Sequence, residues 1–197
     1  MVFMLTDLNY QRMIIGYHGC DAGVVAKVLS GEELLAPSEQ DYDWLGHGIY
    51  FWEQGPQRAY DWAKAEAKRL RDKIKTPAVL GAYINLGQCF DLLDTFNTEI
   101  LKASYPEFCR VLSENGKPLP QNKGVIRNLD CAVINWSLDY AKSKTGRVFQ
   151  SVRGVFVEGE LVYPGTQIAL KSHIQVAVRD PNCIIGFFKP NANSYST

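Results

Sequence analysis

The chain has 197 residues, 46% of them hydrophobic and 12% aromatic, which is typical of a globular protein with a large core. Lysine plus arginine (21) balances aspartate plus glutamate (21), so net charge indicates neither a nucleic-acid-binding nor a membrane-surface protein. The five cysteines are far apart and form no Cys-x-x-Cys pair, which argues against a disulfide framework. With no secretory signal pattern and no long apolar run, we expect no membrane association and a cytoplasmic protein, or one injected into a host cell.

The N-terminal part of the chain predicts two strands separated by a helix and a loop. Arg12 to His18 is expected to form the first strand, and Asp21 can cap a short helix that Gly31 ends. A loop then runs to about Asp43. The aromatic segment from Ile49 to Trp52 predicts the second strand.

The middle of the chain is predicted to be mainly helical. Apolar residues recur at helical spacing from Gln57 to Ile74, and Ala78 to Leu86 is expected to be a buried strand. Asn97 to Tyr105 and Phe108 to Leu112 predict two short helices. The segment 113–123 is rich in polar residues, proline and glycine and predicts a disordered loop.

The C-terminal part predicts a helix followed by strands. Asn128 or Asp130 can cap a helix that extends through Ala141. Short apolar runs separated by turn residues then predict antiparallel strands at 152–157, 167–169, 173–178 and 184–188. Residues 190–197 are expected to be a flexible tail. The pattern indicates a single α+β domain over residues 1–197, with two groups of strands around a helical middle.

Two short motifs lie about thirty residues apart. The first is Tyr17-His18-Gly19 on the first strand, and the second is Gly46-x-Gly48-Ile49-Tyr50-Phe51. These motifs resemble those of the ADP-ribosyltransferase superfamily. Together they are closest to the branch related to diphtheria toxin and the poly(ADP-ribose) polymerases, in which a helix rich in alanine and aromatic residues follows. The segment 58–63 fits that helix. The resemblance implies split antiparallel β-sheets flanking an NAD cleft.

The resemblance also implies roles for individual residues. The backbone of Gly19 would pair with the nicotinamide carboxamide, and His18 would bond the adenosine ribose 2′-hydroxyl. Tyr50 would stack on the nicotinamide ring, and Tyr60 could supply the other face. The implied NAD-binding residues are Tyr17, His18, Gly19, Gly48, Tyr50 and Tyr60.

Gln175 is expected at the third position of the family's catalytic set, where a glutamate is usual. Strand alternation places Gln175 on one face with His173 and Ala177. Glutamine forms hydrogen bonds but is no base at neutral pH, which argues against poly(ADP-ribose) chain growth. Glu158 and Glu160 are alternative carboxylates, although a charged hairpin tip is the favoured interpretation of both.

The sequence therefore predicts a mono-ADP-ribosyltransferase in which His18, Tyr50 and Gln175 are catalytic. NAD is the substrate, nicotinamide is released, and the acceptor is a macromolecule, either protein or nucleic acid. By analogy such a chain is a bacterial toxin, with a possible antitoxin partner, or an effector. No metal is expected, because no histidine has acidic or cysteine neighbours at zinc-type spacing.

Two alternatives remain open from the sequence. One is a catalytically inactive module that binds NAD or ADP-ribose in the same cleft. The other is an RNA 2′-phosphotransferase, which shares the fold but needs a set of basic residues for the RNA phosphate. The sequence does not yield such a set.

Overall fold

A seven-stranded sheet organises the protein, and helices cover both of its faces. The computed structural model describes residues 12–69 and 73–195. The strands are β1 (Met13–Asp21), β2 (Ile49–Glu53), β3 (Pro77–Asn85), β4 (Cys89–Asp91), β5 (Asn122–Lys123), β6 (Ile126–Arg127), β7 (Ser151–Phe156), β8 (His173–Val178) and β9 (Ile184–Phe188). The helices are α1 (Ala22–Ser30), α2 (Pro56–Arg69), α3 (Thr95–Glu114) and α4 (Asn128–Thr145).

The strand order is β4-β7-β8-β2-β1-β3-β9, and β5 pairs with β6 in a separate hairpin. The α+β class is thus confirmed. The strands β7, β8 and β9 pair antiparallel, as predicted, β7 with β8 and β9 with β3. The two expected groups of strands form one sheet, and it is mixed because β4 pairs parallel to β7. That pairing needs a long crossover, and α3 and α4 lie in the connection between the two strands.

Side-chain alternation divides the core between two faces of the sheet. On the face covered by α1, Val25 and Val28 pack on Cys20 and Leu80. We call this the α1 face, and Phe51 lies on it too. On the opposite face, the α2 face, Ala59 packs against Trp52 and Val79. Helices α3 and α4 cover another part of the α2 face, over β7 and β8.

The middle of the chain is more regular than predicted. The two short helices expected between 97 and 112 form the single helix α3, which contains Pro106. The fixed φ of proline is compatible with a helix, so the loss of one hydrogen bond does not end it here. The loop expected at 113–123 begins only after Glu114 and enters β5 at Asn122.

Helix α4 is capped by a residue that the sequence did not indicate. We expected Asn128 or Asp130, but the side chain of Asn122 accepts hydrogen bonds from the backbone of Leu129 (3.0 Å) and Asp130 (3.3 Å). The hairpin of β5 and β6 folds back and brings Asn122 to the helix start. The Asp21 cap of α1 is confirmed, with Gly23 N–H as its donor, and Gly31 ends that helix in a left-handed conformation.

Three further predicted elements differ from the structure or are only partly described by it. The strand expected at 167–169 is only an isolated bridge between Leu161 and Ala169. The tail expected to be flexible brings Tyr195 into the core beside Trp52. The last turn of the predicted helix ending at Ile74 falls partly on 70–72, outside the described residues. Residues 1–11, on which the signal-sequence prediction rests, and 196–197 are also outside them.

No helix within the described ranges is sufficiently long and apolar to span a membrane.

A buried ion-pair network joins three strands. Arg153 on β7 is 4% exposed and donates to Glu53 on β2 (2.6 Å) and to Asp91 on β4 (3.0 Å). Glu53 is 10% exposed and also pairs with the more exposed Arg12. Because these groups are buried, removal of one partner would leave the charge of the other uncompensated and would destabilise the fold.

Removal of the Arg153 guanidinium should destabilise the fold. We expect Arg153→Ala to lower the free energy of unfolding by about 3–5 kcal/mol, because Glu53 would be left as a poorly compensated buried charge. Urea denaturation measures the change. Arg110→Ala is the control, since Arg110 pairs with Glu107 and Glu114 on the exposed side of α3. Equal denaturation midpoints for the two variants would contradict the prediction.

Candidate functional site

Strands β1 and β2 pair over only a short distance. Their register contains two residue pairs, Gly16 with Glu53 and Tyr17 with Trp52. Beyond Tyr17, β1 continues to Asp21 and remains paired with β3, but its pairing with β2 stops. The sheet therefore has an opening between the second half of β1 and the first half of β2.

The backbone of Gly19 faces this opening. On β1 the carbonyl of Ile15 accepts from Gln54, which lies just after β2. The carbonyl of Arg12 and the N–H of Ala22 bond instead to Leu86 and Thr76, at the two ends of β3. Because N–H and C=O directions alternate along a strand, odd-numbered residues of β1 point towards β2. Gly19 therefore directs both a donor and an acceptor into the opening.

His18 bridges the opening. Its Nδ1 lies 2.8 Å from the carbonyl oxygen of Tyr50 on β2. A carbonyl oxygen only accepts, so Nδ1 carries the proton and Nε2 is an acceptor in the neutral ring. Burial lowers the pKa of His18, which keeps the ring neutral near pH 7. The ring packs near Phe51, on the α1 face.

Helix α2 passes so close to Gly19 that no side chain could fit. An added Cβ would overlap the carbonyl oxygen of Ala59 and lie 3.2 Å from Cε3 of Trp62. The missing side chain thus allows the helix to approach the strand. Trp62 in turn contacts Trp52, with ring centroids 5.8 Å apart.

Tyr50 lies on the α2 face with its hydroxyl group fully used. The hydroxyl donates to the carbonyl of Gly46 (2.7 Å) and accepts from the N–H of Leu45 (2.8 Å). Burial raises the pKa of Tyr50, so the phenol stays protonated. Tyr50 packs against the cluster that includes Leu45 and Ile134. It can offer a ring to a ligand, but not an acid or base.

The structure does not bring Tyr60 together with Tyr50. Tyr60 packs with Tyr17 in a separate cluster on the α2 face and contacts Tyr195 at 5.4 Å between ring centroids. The aromatic residue of α2 that touches Gly19 is Trp62. Trp62 is one of the apolar residues at helical spacing that predicted this helix, and it is 41% exposed.

Gln175 lies on the α2 face of β8, the strand on the other side of β2 from the opening. It pairs with Trp52 on β2 and with Gly154 on β7. Ala177 on the same face packs with Val152, as alternation predicts. Within residues 12–69 and 73–195, no hydrogen bond involves the side-chain amide of Gln175, so this group is available to a ligand.

The loop before β2 is held by residues that the sequence did not single out. The Asn135 side chain on α4 accepts from the N–H of His47 (3.0 Å) and from Arg179 (2.8 Å). Gly46 has φ of 76°, and a Cβ there would overlap Asn135. The backbone groups of Gly48 are both bonded to Ser38, so Gly48 shapes the loop and has no free backbone group for NAD.

The two alternative carboxylates have different surroundings. Glu158 pairs with Arg58 on α2 (2.8 Å) and lies 3.8 Å from Nδ1 of His173. Glu160 is exposed, and its carbonyl accepts from the N–H of Leu170. Only Glu158 therefore lies beside the strand that carries Gln175.

A cavity of about 500 Å³ opens beside the site, between β7, α3 and α4. Trp44, Tyr105 and Phe156 are among its lining residues, and so is Gly154, the strand partner of Gln175. None of His18, Tyr50 and Gln175 lines it. Within the part of the chain that the structure describes, no group of three His, Cys, Asp or Glu residues could hold a metal ion.

Comparison with known proteins yields one short similarity. No protein-family model matches the chain. The chain is 35% identical over 77 residues to an uncharacterized protein of Methanocaldococcus jannaschii, MJ0359. The match covers 39% of this chain and 35% of that protein, so the chain spans about a third of the length of its curated relative.

The two shifted histidines predict a pH dependence of stability. Burial lowers the pKa of both His18 and His173 below the ordinary value of 6.5. The unfolded chain thus binds more protons below about pH 6.5, and the free energy of unfolding should fall as pH drops from 7 to 5, by at most about 1.4 kcal/mol per pH unit for each histidine. Thermal unfolding measured across this range tests it. The slope should be smaller in His173→Gln, and a flat wild-type profile would contradict the prediction.

Proposed function

We propose that the protein is a mono-ADP-ribosyltransferase that transfers ADP-ribose from NAD to a macromolecular acceptor. The observation that carries the proposal is the pair of Gly19 backbone groups directed into the opening between β1 and β2. A primary carboxamide such as that of nicotinamide presents a carbonyl acceptor and an N–H donor side by side. The Gly19 N–H and C=O are the complementary pair.

The positions of His18, Tyr50 and Gln175 support the same proposal. His18 lies on the α1 face and offers Nε2 as an acceptor for a ribose hydroxyl. Tyr50 and Gln175 lie on the α2 face. A dinucleotide that passes through the opening would reach both faces, with nicotinamide held at Gly19. The second aromatic wall would then be Trp62 rather than Tyr60.

The chemistry follows from what these residues can do. The bond between C1′ of the ribose and the nicotinamide nitrogen breaks, and nicotinamide leaves with the electron pair. Gln175 can bond a ribose hydroxyl and orient the sugar, but its neutral amide cannot take a proton. Transfer of a single ADP-ribose unit to a nucleophile fits this limit better than chain growth does.

One observation favours a second candidate, a module that binds NAD without turnover. The third position holds a neutral Gln175 where a carboxylate would stabilise the developing positive charge of the ribose. The phosphotransferase alternative has less support, because Arg58, on the helix that covers the opening, is already paired with Glu158.

Incubation of the protein with NAD labelled in the adenylate part, with and without a cell lysate, tests the proposal. We expect label on a macromolecule together with free nicotinamide. Calorimetric titration with NAD separates the alternatives. Binding without nicotinamide release would identify the module, and the absence of both would reject NAD as the ligand.

Gln175→Ala should reduce transfer while leaving the fold intact. The rate is expected to fall about 10²- to 10³-fold, as for the loss of one preorganised hydrogen-bonding group. The thermal midpoint should hardly change, since the side-chain amide has no hydrogen-bond partner among the described residues. Gln167→Ala, at an exposed position of the loop before β8, is the matched control. If Glu160→Ala proves the more damaging change, Gln175 is not the third residue.

Two variants should distinguish the role of the Tyr50 ring in transfer from the role of its hydroxyl in stability. Tyr50→Phe keeps the ring and should retain transfer, but it loses the bonds to Leu45 and Gly46 and should destabilise the protein by about 1 kcal/mol. Tyr50→Ala removes the stacking surface and should abolish transfer. Initial rates and urea midpoints are the measurements. Equal loss of transfer in both variants would reject the stacking role.

A further inference from the structure

Three buried nitrogens near Gln175 have no hydrogen-bond partner. Among the described residues, four buried side-chain nitrogen or oxygen atoms lack one: Trp52 Nε1, Arg58 Nε, His173 Nε2 and Asn128 Oδ1. The Trp52 residue is 5% exposed and the His173 side chain 6%. Buried polar atoms without partners are costly, so three of them together indicate a site for a polar ligand.

The three side chains form one cluster. The rings of Trp52 and His173 have centroids 6.3 Å apart. One carboxylate oxygen of Glu158 lies 2.8 Å from Nη2 of Arg58 and 3.8 Å from Nδ1 of His173. An ideal Cβ on Gly55 would lie 3.2 Å from Cβ of Trp52 and 3.7 Å from Cβ of Arg58, so α2 brings these two residues together.

The hydrogen-bonding character of the three atoms defines the ligand. Trp52 Nε1 and Arg58 Nε can only donate. His173 Nδ1 lies 2.7 Å from the carbonyl oxygen of Lys171 and must carry the proton, so Nε2 accepts. A group that accepts two hydrogen bonds and donates one has the complementary character, and a hydroxyl is such a group. A carboxylate has no donor for His173, and a guanidinium or ammonium has no acceptor for Trp52 and Arg58.

The cluster adjoins the predicted reaction centre. Trp52 is the strand partner of Gln175. His173 precedes Gln175 by two positions on the same face of β8, a separation of roughly 6.5 Å along a strand. A group bound at these nitrogens would lie next to a ribose bound at Gln175.

We propose that Trp52, Arg58 and His173 bind the hydroxyl of the acceptor and that Nε2 of His173 takes its proton during transfer. The inference rests on the proposed function and names its acceptor class, a hydroxyl group. The acceptor oxygen forms a bond to C1′, and the bond from C1′ to the nicotinamide nitrogen breaks with its electron pair leaving on nicotinamide. The proton of the hydroxyl moves to His173, so the step balances without another reactant.

The surroundings of His173 suit a proton acceptor. Burial, and next the nearby Arg58, lower its pKa, so the ring is neutral and ready at pH 7. Glu158 faces the same ring and would stabilise the imidazolium once it forms. Arg58 and Glu158 are the charged groups that face it from α2 and from the loop after β7. His173 thus supplies the proton acceptor that Gln175 cannot.

Turnover of NAD in water containing methanol, a minimal hydroxyl probe, tests the role of His173. We expect methyl ADP-ribose and ADP-ribose as products of the wild-type protein. His173→Phe keeps an aromatic ring but has no acceptor, and it should slow both products about 10²- to 10⁴-fold while the NAD Kd stays within about twofold. The fall in wild-type rate towards acidic pH should vanish in this variant. Gln167→Ala, at an exposed position of the loop before β8, should match the wild type.

Trp52→Phe removes one donor and keeps a ring, so it should also slow turnover if His173→Phe fails to fold. If the folded variants have the turnover and the pH profile of the wild type, the inference is overturned. The three nitrogens would then bind an internal water only. NAD affinity and nicotinamide release by the wild type would still support the proposed function in that case. If the wild type neither binds NAD nor releases nicotinamide, the proposed function itself is rejected.

The linkage in labelled lysate tests the acceptor class separately. A hydroxyl acceptor gives an acetal that survives neutral hydroxylamine, whereas a carboxylate acceptor gives an ester that hydroxylamine cleaves. Retained label supports the assignment of a hydroxyl. Released label would overturn it.

Discussion

The structure depends on the incomplete pairing of β1 with β2. A continuous ladder would use the backbone groups of Gly19 within the sheet and close the path between its two faces. The pairing stops after Tyr17 and Trp52, and the His18 imidazole bonds the Tyr50 carbonyl in place of a backbone donor. One side chain thus holds the two strands at a distance while the Gly19 donor and acceptor remain open. The candidate site follows from this arrangement.

The second constraint is the contact of α2 with Gly19. Because Gly19 has no Cβ, the carbonyl of Ala59 can lie directly over the strand. This position places Trp62 over Gly19 and against Trp52. It also brings Arg58 to Glu158, near the start of β8. The same close packing therefore sets both the wall of the opening and the polar cluster beside Gln175.

Local patterns determined much of the fold. Alternation placed Ala177 and Val176 on opposite faces of β8, and the bounds of β8 and β9 agree with the predicted strands. The Asp21 cap needs only the residues next to it. The motif Tyr17-His18-Gly19 and the segment from Gly46 to Phe51 pointed to the strands that line the opening, because each motif lies within one strand and its adjoining turn.

Only the tertiary structure decided which distant residues meet. Asn135 holds the loop before β2 from 88 positions further along the chain, and Asn122 reaches the start of α4 only because the hairpin of β5 and β6 folds back. No local pattern distinguishes either from an ordinary surface polar residue. Helical spacing could not show that Trp62 rather than Tyr60 touches Gly19, since that depends on how close α2 packs. The sequence by itself determined the longer strands β1, β2, β3, β7, β8 and β9 and the motifs on them, but not the short strands β4, β5 and β6. The juxtaposition of His173 with Arg58 arises from packing between elements far apart in the chain, where backbone propensity carries no information.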